Sequence, residues 1–109
     1  MQVSTILPHE LAALADVEIV DVRSPEEFAH IRAKDAVNYP LDDLDPQAIM
    51  DARDDATKPL YLICAVGMRS HFACQKFIAA GYDNVVNVEG GTELWLHQGL
   101  PSESAAGNA

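Results

Sequence analysis

The sequence predicts one α/β domain, with an open, mostly parallel sheet that carries helices on both faces. Three observations support this prediction. The chain has 109 residues, 49% of them hydrophobic, which is enough for one core and too short for two. Segments typical of strands alternate with segments typical of helices. The strand candidates are short and nearly continuous in apolar character, as expected for buried parallel strands.

The amino-terminal strand candidate is a short edge strand, and Pro8 after it suits the first turn of a helix with Leu11 on its apolar face. In chain order, the strand candidates are residues 3–6, 18–22, 36–40, 60–63 and 85–88.

A second helix is predicted to begin at Ser24, because Ser24 can cap it, Pro25 suits its first turn and Glu27 completes a capping box. Residues 41–55 are strongly acidic, and Pro46 begins a short helix within them. We interpret this charge run as a solvated face rather than an interaction tail.

The strand at 60–63 is the most apolar candidate, and a helix stopped by Gly81 follows the loop after it. A last short helix is predicted at 92–97. Residues 102–109 are small and polar, so we expect the domain to occupy residues 1–101 and the tail to be disordered.

Charge and composition exclude several functions. Seven Lys and Arg face 17 Asp and Glu, a net charge of −10, which disfavours nucleic acid and anionic membrane surfaces as partners. No apolar run could span a bilayer, and the amino terminus lacks the features of a signal peptide, so we expect a soluble cytoplasmic domain. Cys64 and Cys74 form no CxxC pair, and His30 and His71 lack metal-ligand partners at usable spacing. We expect no metal and no cofactor.

The segment from Cys64 to Arg69 joins the end of a buried strand to the start of a helix. The first N–H groups of a helix have no partner inside it, and a turn at Gly67 can aim them inward as a nest for an anion. The helix dipole and Arg69 add positive charge. A cysteine facing such a nest is expected to be a thiolate near neutral pH and to act as a nucleophile. The alternative is a buried cysteine with no chemical role.

The length of this loop favours sulfur chemistry. Cys64 to Arg69 spans six residues. Cysteine-dependent phosphatases and related arsenate reductases use one residue more, and their larger ring of amides fits a tetrahedral phosphate. A shorter ring fits a single sulfur atom carried on the cysteine.

Ordered motifs along residues 3–101 carry a resemblance to a known family. They are DVRSPEEF at 21–28 with HI at 30–31, AVNYPL at 36–41, CxxGxRS at 64–70, and VEGG at 88–91 followed by Trp95 and by GLP at 99–101. On these motifs the chain resembles a single-domain rhodanese, which is a sulfurtransferase. The resemblance implies a rhodanese-like three-layer sandwich, with a central, mainly parallel five-stranded sheet and helices on both faces.

The resemblance also implies a mechanism. Cys64 would take a sulfane sulfur from thiosulfate or a thiol persulfide and pass it to a thiol or cyanide. The partners would be a sulfur donor, either a small molecule or a protein persulfide, and a thiol acceptor. The loop residues implied to bind the substrate are Ala65, Val66, Gly67, Met68, Arg69 and Ser70. The alternative is a non-catalytic rhodanese-like module that binds a protein or senses redox state.

This chain departs from the family pattern at the loop and after His30. Members specialised for thiosulfate often carry a basic side chain beside the cysteine, whereas this loop has Ala65, Val66 and Met68. With a net charge of −10, thiosulfate is expected to be a poor donor. The usual HIPGA stretch is replaced by HIRAKDA. Its Arg32 and Lys34 are either exposed cations near the site or part of a solvated loop, and we favour the solvated loop.

Other polar residues of the motifs have structural interpretations. Arg69 could bind the donor's oxygens, loop carbonyls or a carboxylate, and these stay open. Asp21 and Arg23 are predicted to form a structural ion pair. Ser70 is expected to cap the helix or to bond within the loop, and Cys74 to pack as a small residue against the sheet.

Overall fold

A five-stranded parallel sheet forms the centre of the molecule in the computed structural model, which describes residues 2–104. Five α-helices, a second small sheet and a 3-10 turn at Leu41–Asp43 complete the described chain. In chain order, the elements are β1 (Ser4–Ile6), α1 (Pro8–Ala12), β2 (Glu18–Asp21), α2 (Pro25–His30), β3 (Arg32–Ala33), β4 (Val37–Asn38), α3 (Pro46–Asp51), β5 (Leu60–Ile63), α4 (Met68–Ala79), β6 (Val85–Val88), α5 (Gly91–His97) and β7 (Ser102–Glu103).

The strand order of the main sheet is β1-β6-β5-β2-β4, and every neighbouring pair is parallel. The α/β class, the five-stranded parallel sheet and the flanking helices are therefore confirmed. β5 lies in the middle, and its four residues are all buried. Ligands of such sheets bind beyond the carboxyl ends of the strands, so the end of β5 is the place to look for a site.

Alternation along β5 divides the core into two layers. Leu60 and Leu62 pack on the side of α3 and α4 in one buried cluster. Tyr61 and Ile63 face the other way, toward the cluster that contains Trp95 of α5. Successive side chains of a strand point to opposite faces, so a strand this apolar needs helices on both sides.

The small sheet corrects the expected end of the ordered domain. β7, within the stretch expected to be disordered, pairs antiparallel with β3. Contacts beside it explain the order: the Lys34 N–H donates to the Pro101 carbonyl at 3.0 Å, and the Trp95 indole N–H donates to the same oxygen at 2.7 Å. The expected disorder is therefore wrong for residues 102–103. Residues 105–109 of the expected tail lie outside the described part of the chain.

The stretch around Arg32 is also more ordered than a solvated loop. The Arg32 guanidinium lies 4.6 Å from the centre of the Phe28 ring and donates to the Phe28 carbonyl.

In residues 2–104, no helix has the length and apolar character that crossing a membrane requires.

Candidate active site

Cys64 directly follows β5 and lies at the carboxyl end of the sheet. It continues the face of Leu60 and Leu62, and only 1% of it is exposed to solvent. The strand ends there because the backbone leaves the sheet toward Gly67, whose φ of +102° is the left-handed conformation that glycine adopts without strain. The loop then enters α4.

Two hydrogen-bond donors approach the sulfur, one from the loop and one from the first turn of α4. The Gly67 N–H donates to Cys64 Sγ at 3.1 Å, and Ser70 Oγ lies 3.2 Å from the same sulfur. Both groups can donate a hydrogen bond to this buried sulfur. A role for the other amides of Ala65–Ser70 in holding a persulfide stays a prediction.

Asn87 of β6 completes this arrangement, and the sequence analysis missed it. The residue is 6% exposed; Oδ1 accepts a hydrogen bond from Ser70 Oγ, and Nδ2 donates to the Gly67 carbonyl at 3.1 Å. The second contact fixes the orientation of the amide, so Oδ1 faces Ser70. The single Ser70 hydroxyl hydrogen serves either Oδ1 or the sulfur. A polar residue in the strand VVNV was the signal that could have revealed it.

The start of α5 holds the first two residues of the loop. The Thr92 N–H donates to the Cys64 carbonyl at 2.8 Å, and the Glu93 N–H donates to the Ala65 carbonyl at 3.1 Å. Gly91 has a φ of +61°, and a Cβ placed on it would lie 2.5 Å from both carbonyl oxygens. Only glycine permits this close approach, so the Gly-Gly motif positions the cysteine loop as well as ending a strand.

Arg69 binds a carboxylate, one of the alternatives left open above. Its guanidinium makes two hydrogen bonds to the Glu27 carboxylate, at 2.7 and 2.9 Å. Glu27 also belongs to the predicted capping box, with its N–H donating to Ser24 Oγ at 3.2 Å. The Arg69 hydrogen bond is the main reason that the pKa of Glu27 falls to about 2. The positive charge expected to face the nest is thus neutralised by a carboxylate from α2.

The predicted ion pair between Asp21 and Arg23 is confirmed. Arg23 and Asp21 are 5% and 0% exposed, and the guanidinium meets the carboxylate at 2.8 Å. Arg23 also donates to the Ile31 carbonyl at 2.7 Å, which ties the end of β2 to the chain after α2. These contacts indicate a structural role.

Cys74 packs as a small apolar residue, as predicted. It lies on the buried face of α4, in the same core cluster as Cys64. Burial raises the pKa of its thiol to about 12.

Among residues 2–104, no group of three or more His, Cys, Asp or Glu side chains could hold a metal ion.

Exposed apolar side chains follow Cys64 on the loop and on the first turns of α4, and acidic groups lie beside the loop. Val66, Met68 and Phe72 are 52%, 67% and 54% exposed. A groove of about 240 Å³ next to Arg69 has the exposed Asp42 and Asp43 in its wall. A pocket that attracts anions would carry the opposite charge.

Comparison with known proteins places this arrangement in a family. Residues 7–98 match the Rhodanese-like domain. The chain is 36% identical over 98 residues to a sulfurtransferase of Allochromatium vinosum, covering 90% of this chain and 89% of that protein. It is 31% identical over 109 residues to the thiosulfate sulfurtransferase GlpE of Pseudomonas aeruginosa, covering 95% and 93%. A rhodanese-related protein of Thermoplasma volcanium superposes with a TM-score of 0.77 at 30% identity, covering 91% and 96%.

Proposed function

The chain belongs to the rhodanese-like domain family, and from this premise we propose that it is a sulfurtransferase that carries sulfane sulfur as a persulfide on Cys64. The observation that carries the proposal is the cradle around the sulfur. A backbone N–H and a hydroxyl meet Sγ at the carboxyl end of the central strand. Donors fixed before the reaction stabilise charge on sulfur without reorganising during it.

In the first half-reaction, the Cys64 thiolate attacks the outer sulfur of a persulfide, R–S–SH. An S–S bond forms between Cys64 and the outer sulfur, and the S–S bond of the donor breaks. The electron pair of that bond leaves with R–S⁻, and Cys64 becomes Cys–S–SH. With thiosulfate as the donor, the same attack releases sulfite.

In the second half-reaction, an acceptor thiolate attacks the outer sulfur of the Cys64 persulfide. The acceptor becomes a persulfide, and Cys64 returns to the thiolate that began the cycle. The sulfane sulfur moves between two thiols without a net change in oxidation state, so no outside oxidant or reductant is needed. Because the enzyme is modified covalently between the two steps, ping-pong kinetics are expected.

The hydroxyl of Ser70 lies between two acceptors, and its single hydrogen can serve either. While Cys64 is a thiolate, we propose that this hydrogen turns to Sγ. When the sulfur is no longer charged, the hydrogen turns back to Asn87 Oδ1. Ser70 therefore stabilises the thiolate, and Asn87 positions Ser70.

Two alternatives have less support. A redox sensor that pairs Cys64 with Cys74 is disfavoured, because the Cys74 thiol is buried with its pKa raised to about 12 and so forms little thiolate. A phosphatase is disfavoured by the six-residue loop and by the acidic groove beside it. The experiment below distinguishes an enzyme from a non-catalytic binding module.

The experiment is an intact-mass measurement after incubation with glutathione persulfide and, separately, with thiosulfate. We expect the protein to gain the mass of one sulfur atom and to lose it when cyanide or a thiol is added. The Cys64→Ser variant should gain nothing, and the Cys74→Ser variant should load like the wild type. We expect glutathione persulfide to load faster than thiosulfate, because the mouth is apolar and the chain is acidic.

A protein that gains no sulfur from either donor, or that gains it equally in Cys64→Ser, would overturn the proposal. The binding-module alternative would then stand.

The cytoplasmic location stays a prediction from the sequence.

A further inference from the structure

The mouth around Cys64 joins an apolar patch to acidic groups. We define the rim as Val66, Met68 and Phe72. These are half of the exposed large hydrophobic side chains in residues 2–104. Met68 and Phe72 are one turn apart on α4 and so lie on one face of the helix. Apolar side chains gathered at the opening of a reactive site mark a binding surface more than scattered ones do.

The charges beside the rim are negative. Asp42 and Asp43 are exposed in the wall of the groove next to Arg69. The Arg69 guanidinium is already held by the Glu27 carboxylate at 2.7 Å. The groove therefore presents the charge of its two aspartates, without an opposing cation from Arg69.

Acidic residues also adjoin the opposite side of the loop. Glu89 and Glu93 are exposed, and both belong to the segment that meets the loop. The Glu93 N–H donates to the Ala65 carbonyl at 3.1 Å, and a Cβ on Gly67 would lie 3.4 Å from the Gly90 nitrogen. The nearest exposed cation along α4 is Lys76, one turn beyond Phe72 and farther from the loop.

We propose that the physiological sulfur acceptor is a cysteine on a basic protein, with apolar residues next to the cysteine and Lys or Arg farther out. This inference rests on the proposed sulfur transfer. The apolar residues pack on the rim, while the basic side chains pair with Asp42 and Asp43. The acceptor thiolate attacks the outer sulfur of the Cys64 persulfide and leaves with it, as balanced above. Charge complementarity of this kind mainly raises the association rate and selects partners.

The burial of Cys64 supports a partner that inserts its thiol. Only 1% of the residue is exposed, so an acceptor has to bring its sulfur into the mouth while its remaining parts rest on the rim. A small dianion gains nothing from apolar side chains and is repelled by the aspartates. A peptide segment gains from both features.

The test uses two synthetic peptides of equal length, each with one cysteine between leucines, one flanked by lysines and the other by glutamates. Cys64 is first loaded with glutathione persulfide, and loading is verified by intact mass. The rate of sulfur transfer to each peptide is then measured by mass spectrometry. We expect the lysine peptide to have a kcat/KM at least about 10-fold higher at low salt, with the preference shrinking toward 1 M salt.

Matched variants localise the effect. Asp42→Asn with Asp43→Asn should reduce the preference for the lysine peptide. The control, Asp16→Asn with Asp54→Asn, removes the same charge from grooves at the amino end of the sheet and should leave the preference unchanged.

A second pair of variants tests the apolar rim. Met68→Ser with Phe72→Ser should raise KM for both peptides, whereas Leu14→Ser, at a side chain 47% exposed in the amino-end grooves, should not.

The outcomes separate this inference from the proposed function. If Cys64 loads and discharges to cyanide but transfers to both peptides at equal rates, the acceptor proposal is wrong and the sulfurtransferase stands. Equal loss of preference in the two aspartate pairs would also overturn it, because the effect would then come from net charge rather than from this groove. If Cys64 never loads, both proposals fall.

Discussion

The regions around Cys64 and Cys74 differ in one physical respect. Both cysteines belong to the same buried cluster, and they are 1% and 0% exposed. At Cys64 a backbone N–H and a hydroxyl meet the sulfur. At Cys74 desolvation raises the pKa of the thiol to about 12. Burial alone makes a thiol inert, and hydrogen-bond donors at the sulfur are what can make a buried thiol reactive.

The backbone accounts for the N–H donor at Cys64. Cys74 lies inside α4, where N–H groups are used by the helix itself. Cys64 lies between a strand and a helix, where N–H groups have no regular partner. Position in the fold therefore gives the two sulfurs different surroundings.

The largest expected difference is in alkylation. With iodoacetamide near neutral pH, we expect Cys64 to react in the native protein and Cys74 to react only through unfolding. The rates should differ by at least about 10³-fold, because unfolding costs about 5 kcal/mol or more. Peptide mapping after timed quenching measures both rates. Equal rates would show that the cradle does not activate Cys64.

Removing the Ser70 hydroxyl next to Cys64 tests whether this donor affects the reactivity of the sulfur. Ser70→Ala should slow persulfide loading about 10- to 100-fold, since a hydrogen bond to a charged group contributes about 1.5–3 kcal/mol. Ser70→Thr keeps the hydroxyl and should restore most of the rate. Stopped-flow loading with glutathione persulfide measures both variants. A Ser70→Ala protein that loads at the wild-type rate would remove Ser70 from the mechanism.

Two glycines with positive φ test how tightly each region is built. Gly91→Ala would place a Cβ 2.5 Å from the Cys64 and Ala65 carbonyl oxygens, whereas Gly81→Ala, at the end of the Cys74 helix, would meet nothing within 4 Å. Both substitutions place alanine in a left-handed backbone conformation, which destabilises the folded state in each case. Gly91→Ala should lower the free energy of unfolding by about 1–3 kcal/mol more, and should also slow loading. Urea unfolding compares the pair, and equal destabilisation would contradict the close approach.

The smallest expected effect is the pH dependence of the Glu27–Arg69 pair. The folded-state pKa of Glu27 is lowered from 4.5 to about 2, so its contribution is present above pH 4.5 and is lost as pH falls toward 2. Because 38% of the Glu27 side chain is exposed, we expect no more than about 1 kcal/mol. Glu27→Gln keeps the capping box and should lower stability at pH 7 but not at pH 2. Urea midpoints at the two pH values measure this, and a pH-independent difference would contradict it.

Local patterns predicted much of this fold. The apolar runs predicted the five strands of the main sheet, the capping box at Ser24 predicted the start of α2, and the strand-to-loop step at Cys64 pointed to the candidate site. The strand expected at 36–40 is shorter in the structure, where β4 covers only Val37–Asn38. Pro40 has no backbone N–H and so cannot donate a hydrogen bond to a neighbouring strand.

Contacts between distant parts of the chain were not predictable in the same way. Arg69 meets Glu27 across 42 positions, and the sequence alone left its partner open. Asn87 reaches Ser70 from a neighbouring strand, and Ser102–Glu103 become ordered by pairing with β3. Each depends on which segments the fold brings together, and no local propensity records that.

The two N–H groups that α5 donates to the cysteine loop also offer a way to observe it. The amide hydrogens of Thr92 and Glu93 stay protected from deuterium only while the Cys64 and Ala65 carbonyls remain in place. Their exchange rates therefore report when the loop opens, without a label on the sulfur. Followed while a sulfur donor and an acceptor are added, these two amide hydrogens would show whether the loop after Cys64 moves.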